Sequence, residues 1–390
     1  MRKDMTVTEQ PRRPHFPGVS TGSALSPESR KAKPIKWWAS AGCLFAGVTV
    51  WSWAWWIGSG DAHPAPKGPT PIPTTQLIAA RFWEVVCVVG AATMAYHFLV
   101  KPWRRERRFT LDGMLLLSWL GVWALQDPML NYFTNNFHYS AVFINLGSWT
   151  SHIPGWIAPR SHFMGEPLLF VGGVYMFVMF GGTLFGCWCM RRAKARWPRI
   201  GTAGLIGVAV GVLAVVDLVM EVLWLRLGLY SFSGAIRWLT LWPGRYYQFP
   251  VYEAVCVGAV WGGIASLRYF KDDRGKTKAE RGADEVRATP VQRGFLRFLS
   301  VYGACSTIFL AVYSLPMAFL GAHADNFPDG VLQRSYLTSG TCGLGTDYAC
   351  PGPRVPMPSG PDSAHATPEG TWEAPKGLPV QSGRTGGRSR

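Results

Sequence analysis

The sequence predicts an all-α fold, a polytopic membrane helix bundle, on three observations. Only 16% of the 390 residues are charged, against roughly 25% in soluble domains. The apolar residues collect in about seven blocks, most of them long enough to cross a bilayer. Short basic stretches separate the blocks, and basic residues flanking spans are what the positive-inside rule expects. The net charge of +16 therefore does not point to nucleic acid, because the basic residues form neither one patch nor a basic helix.

Residues 1–35 are polar and rich in Pro and Ser, and read as a disordered tail and not a signal peptide. The first span runs from Lys36 to Gly58, with Trp37 and Trp38 at one end and Trp51, Trp53, Trp55 and Trp56 crowding the other, as expected for rings at a headgroup boundary. The second covers Gln76–Val100 and stops at the basic run from Lys101 to Arg108. The third, Gly113–Gln126, is short and halts at Asp127-Pro128, since proline restricts the residue before it. The fourth is Pro167–Met190, the fifth Gly201–Leu225, the sixth Tyr246–Leu267 and the seventh Phe295–Leu320. Between the third and fourth spans, residues of about 127–166 are rich in Asn, His, Trp and Gly and read as a structured lid loop.

An inside N-terminus places 1–35, 101–112, 191–200 and the charged loop 268–294 on one side, and these hold every basic cluster. The outer loops hold little beyond Lys67, Arg160, Arg237 and Arg245. The expected topology is thus N-terminus inside and C-terminus outside, with a transmembrane domain over 36–325. An outer Cys/Gly-rich segment (326–352) and a disordered tail (353–390) follow. Six of the eight cysteines lie in or beside spans and read as small hydrophobes. Cys342 and Cys350 stand apart, on a side that can be oxidising. They are either paired or two free thiols.

Ionisable residues in hydrocarbon cost on the order of 2.5–3.5 kcal/mol, so each needs a partner or a use. Arg81 and Glu84 occupy the second span, Asp127 closes the third and Glu166 opens the fourth. Asp217 and Glu221 lie on the fifth and Glu253 on the sixth. In the expected topology all fall in the outer half of the bilayer, which points to one polar cavity. Asp217 and Glu221 are four residues apart and share a helix face, with Trp224 close to it. Two adjacent carboxylates in low dielectric share a proton, which supplies a general acid. The candidate catalytic residues are Asp217, Glu221 and Glu253, then Asp127 and Glu166. Candidate substrate contacts are Arg81, Glu84, Asn131, Asn135, His152, Trp224 and Tyr246. The alternative is structural: Asp217 or Glu221 pairs with Arg81 and joins two helices. Gly207-x-x-x-Gly211 reads as a helix-packing motif.

Other constellations are missing. His138, His152 and His162 lack the clustered spacing of a metal site, and the sequence has no His-Glu-x-x-His. With no P-loop and no Gly-rich dinucleotide turn, neither a metal nor a cofactor is expected.

Arg104-Arg-Glu-Arg-Arg-Phe-Thr-Leu-Asp-Gly-Met leads into Gln126-Asp-Pro-Met-Leu-Asn-Tyr132 and on to Gly147-Ser-Trp-Thr-Ser-His-Ile-Pro-Gly-Trp156. Together with Cys342-Gly-Leu-Gly-Thr-Asp-Tyr-Ala-Cys350, this resembles the spiroketal cyclase family typified by the AveC protein of avermectin biosynthesis. The resemblance spans about 36–352 and is densest over 101–167. It implies a multi-pass enzyme of a bacterial cell membrane. Such an enzyme folds a dihydroxy-ketone polyketide precursor of a macrolide into a 6,6-spiroketal with one configuration. Some members also dehydrate a ring. The substrate would be a lipophilic polyketide lactone dissolved in the bilayer. Paired carboxylates suit the chemistry, because losing water through an oxocarbenium-like state needs an acid and a base, as at glycosidic acetals. A non-catalytic membrane carrier or scaffold for such a lipophile would carry the same features. The resemblance says nothing of oligomeric state.

Overall fold

The computed structural model describes residues 34–360 and 363–373, and the expected N-terminal tail up to residue 33 lies outside them. The chain is mostly helical. Among the described residues seven long helices occur, one at each expected apolar block: α1 (Pro34–Gly58), α2 (Thr74–Glu106), α3 (Leu111–Gln126), α4 (Phe170–Arg196), α5 (Thr202–Arg226), α6 (Val251–Tyr269) and α7 (Pro290–Ala322). Four of them, α2, α4, α5 and α7, are long and apolar enough to cross a membrane. Their outward faces carry exposed Val85, Val89, Val215, Val219 and Phe319, the reverse of a soluble surface and a pattern that marks contact with lipid or a partner.

Local chemistry sets the helix ends. Thr110 caps α3 by accepting from the Gly113 amide. Thr289 and Gln292 form a capping box at the start of α7, with Pro290 in the first turn. Gly228, at φ +71°, ends α5 in the left-handed region that glycine enters freely. The sixth helix starts at Val251, later than the expected Tyr246. The segment before it forms a two-stranded pairing of Thr240–Leu241 with Phe249–Pro250, and Pro250 supplies the helix start.

Close crossings hold the bundle. A Cβ on Gly303 of α7 would lie 2.0 Å from the Trp38 carbonyl oxygen of α1. One on Gly42 would lie 2.1 Å from that of Leu299. Gly258 and Gly262 of α6 press in the same way on the backbone of α5 at Val210 and Ala214. The expected packing motif Gly207-x-x-x-Gly211 is a correction: nothing lies within 4 Å of a Cβ at either position, and both face outward on α5. Small-residue spacing marks a close-approach surface without saying whether this chain supplies the approaching helix.

At the end of the bundle opposite the loop 127–166, ion pairs tie the charged loop to the helices. Arg268 grips Asp112 through two bonds of 2.7 and 2.9 Å, and Arg297 reaches Glu280 at 2.6 Å. The loop 127–166 packs over the other end together with 59–73 and 323–352. Its strand β1 (Phe137–Tyr139) pairs antiparallel with β2 (Tyr230–Phe232), which follows α5. Cys342 and Cys350 form a disulfide, which decides between the two readings of these thiols. Within the expected C-terminal tail, His365–Ala366 pairs with Trp372–Glu373.

Candidate active site

Sheet periodicity builds the roof of the site. Successive side chains of a strand point to opposite faces. Phe137 pairs with Phe232 and Tyr139 with Tyr230, so these four aromatic rings share one face. All four line a narrow cavity of about 60 Å³. His138 and Ser231 take the other face. The His138 ring lies 3.0 Å from the Ser233 hydroxyl and 2.9 Å from that of Thr341, pinning the roof to the C-terminal segment. Thr341 donates its own proton to the Thr338 carbonyl. His138 Nε2 must therefore be the donor to Thr341, and Nδ1 accepts from Ser233. Burial in this interface pushes the His138 imidazole down to about 3.

The walls come from α3, α4, α5, α6 and α7. Asp217 and Glu221 descend one face of α5, with Trp224 one turn on, and Glu253 faces them from α6; all four line the cavity. Ligand oxygens of the three acids lie within 4.8 Å of one another. One oxygen of each, Asp217 Oδ2, Glu221 Oε2 and Glu253 Oε2, is buried without a well-aligned hydrogen bond to any described residue. On the other side of the cavity Asp127 Oδ2 accepts from the Tyr139 hydroxyl at 3.0 Å. Asp127 also lies within hydrogen-bonding reach of Tyr175 and Glu166. Two carboxyl groups bond to each other only by sharing a proton. Glu166 does not line the cavity but stands behind Asp127, accepting from Trp123 Nε1 at 2.9 Å.

Among the described residues, no Lys, Arg or His lines the cavity. Three clustered carboxylates without a counter-cation cannot all ionise in a low-dielectric space, so protons or a metal ion must neutralise them. The expectation of no metal rested on histidine spacing alone. Asp217, Glu221 and Glu253 offer a hard-oxygen donor set that fits a divalent cation such as Mg²⁺ or Ca²⁺ by type.

The structure thus brings together the five acids expected to be catalytic, and Trp224 with them, but not Glu84. The remaining expected contacts lie elsewhere, and each has its own partner. Arg81 pairs with Glu84 and donates to the Val142 carbonyl at 2.8 Å, while Glu84 accepts from the Ile144 amide at 2.7 Å. Neither acid of α5 pairs with Arg81, so the expected alternative of an ion pair between α2 and α5 does not form. Asn131 bonds the amides of Asn136 and Phe137 and the Phe137 carbonyl. Asn135 bonds Pro159 and Ser161, and His152 bonds Asp61 at 2.9 Å. Tyr246 donates to the Arg226 carbonyl, and its ring lies under Arg334. All but Tyr246 hold the loop 127–166 in place, because a long loop packed over a cavity must satisfy its own backbone.

Four tyrosines that no sequence pattern marks complete the site. Tyr139 and Tyr230 hang from the roof, and Tyr175 and Tyr313 stand in the walls. Tyr313 donates to Glu253 Oε1 at 3.4 Å. Tyr175 and Tyr313 each sit in a π-helical turn, Tyr175–Met179 and Leu310–Ser314. The second turn precedes Pro316, whose ring would clash with a carbonyl of a regular helix. A third π turn, Tyr96–Val100, precedes Pro102 in the same way. The turn at Tyr175 has no such proline, and π turns of that kind concentrate at functional sites.

No curated protein and no solved structure matches the chain. Residues 106–337 match the family described as Spirocyclase AveC-like. That segment holds every acid of the cavity, the roof and all four tyrosines, and it is more than half of the chain. The protein belongs to the AveC-like spirocyclase family.

Proposed function

We propose that the protein is a membrane-embedded spirocyclase. It would convert a lipophilic dihydroxy-ketone polyketide lactone to a 6,6-spiroketal with stereocontrol, by proton transfers between carboxyl groups. Its seven helices would all cross a bacterial cell membrane, with the N-terminus and the charged loop 268–294 inside and the roof and C-terminus outside. The observation that carries the reading is the cavity: four carboxyl groups with a fifth, Glu166, behind Asp127, aromatic walls and no cationic side chain among the described lining residues, in a member of this family.

Once the hemiketal has formed, the reaction needs two proton transfers at one carbon. One substrate hydroxyl adds to the ketone and gives a hemiketal. A protonated acid of the cluster Asp217, Glu221 and Glu253 then gives its proton to the hemiketal oxygen, the C–O bond breaks, and water departs. The cation left behind is planar and stabilised by the remaining carboxylate charge and by aromatic faces. The second hydroxyl attacks this carbon, and its proton passes to a carboxylate, for which Asp127 stands on the facing wall. One water is lost and no redox partner is consumed. Dehydration of a finished ring would use the same proton-transfer groups.

Incubation of membranes with a synthetic keto-diol, followed by chromatography of the products, tests the reading. Asp217→Asn and Glu253→Gln keep the shape of the site. Each should lower the rate about 10²–10⁴-fold and leave a slow, less selective background, since spiroketals also close unaided. Full rate and full selectivity in both variants would make these carboxyls structural and favour a carrier of the lipophile.

A further inference from the structure

The roof carries two phenols that the acid–base scheme does not use. Tyr139 and Tyr230 are direct partners across the β1–β2 pair, with ring centroids 5.8 Å apart. Their hydroxyls serve different walls. Tyr139 donates to Asp127, while Tyr230 stands over Glu221, Glu253 and Asp217. Tyr230 is 2% exposed and lines the cavity. Its hydroxyl lies within reach of Glu221 but makes no well-aligned hydrogen bond to any described residue, so it has bonding capacity left for a ligand or water.

We propose that Tyr139 and Tyr230 are the stereocontrolling contacts of the site. Tyr139 holds the attacking hydroxyl, and Tyr230 holds the oxygen that leaves as water. This rests on the spirocyclase reading above and assigns the roof a task within it. A planar oxocarbenium can be attacked from either face. The configuration is fixed only if the departing and attacking oxygens are held on set sides while the ring closes. The strand register fixes the spacing of the two phenols. The Tyr139 oxygen accepts the proton of the attacking hydroxyl as its own proton moves to Asp127. The Tyr230 hydroxyl donates to the departing oxygen while the acid cluster beneath protonates it. Protons balance: one passes from the cluster to the departing water, one from the substrate to Asp127.

Tyr139→Phe and Tyr230→Phe keep the rings and remove only the hydroxyls. In the full-length protein in membranes, each should move the ratio of spiro isomers about ten-fold toward that of the uncatalysed closure, the worth of one hydrogen bond. Consumption of the keto-diol should slow far less than in Glu253→Gln. The keto-diol with both hydroxyls methylated keeps the carbonyl oxygen but cannot close, and Tyr230→Phe should weaken its binding about ten-fold. Wild-type isomer ratios in both variants, or unchanged affinity for the methylated ketone, would overturn the assignment. Full activity of Glu253→Gln and Asp217→Asn would instead overturn the acid–base reading, and titration with the methylated ketone would still decide Tyr230.

Discussion

His138 shows how one side chain ties the roof to the rest of the chain. Its folded-state value of about 3 lies far below the ordinary value of 6.5, so the folded protein holds it neutral. The stability this provides is complete above pH 6.5 and is lost as the pH falls toward 3, because only the unfolded chain takes up the proton. The slope is about 1.4 kcal/mol per pH unit across that window. His138→Gln removes the titrating group. The pH dependence of its melting temperature between 6.5 and 4 should be shallower than that of the wild type by about one proton. Parallel curves would mean that His138 is already protonated in the folded roof. Nearby Asn131 and Asn135 carry a second lesson. Both looked like ligand contacts because asparagines in an apolar context need partners, but a sequence does not say whether those partners are foreign or local.

Among the elements, the crossing of α1 and α7 is the tightest test of the bundle. Gly42 and Gly303 meet backbone to backbone, so Gly303→Ala forces the two helices apart. It should destabilise the protein by about 2 kcal/mol or more, in the manner of an overpacked core, whereas Gly207→Ala on the open face of α5 should be nearly silent. Equal melting temperatures for Gly303→Ala and the wild type would refute the crossing. The contrast explains what the sequence made legible. Apolar blocks announce α1 to α7, and carboxylates stand out against hydrocarbon, so Asp127, Glu166, Asp217, Glu221 and Glu253 were all visible. The roof strands were not. Each has three residues, too few for alternation to register, and they meet across most of a hundred residues of intervening chain. Tyr175 and Tyr313 were hidden because a tyrosine in a span is ordinary, and a π turn leaves no mark unless a proline follows it.

For the molecule as a whole, the proposed topology makes the Cys342–Cys350 bridge and the loop 268–294 fall on opposite sides of the membrane. In intact cells an impermeant thiol reagent should label the pair once it is reduced, and should not reach a cysteine placed within 271–293. Labelling of that loop from outside would sink the seven-span arrangement. The aromatic chamber beneath the roof has a bearing on the fate of the proposed cation. Water that met it would return it to the hemiketal, so a site open to bulk solvent would waste each ionisation. Walls that are largely aromatic and aliphatic would leave the cation for the second hydroxyl. The enclosure would thus favour the ring by rate, while the equilibrium, which no catalyst shifts, stays where the chemistry puts it.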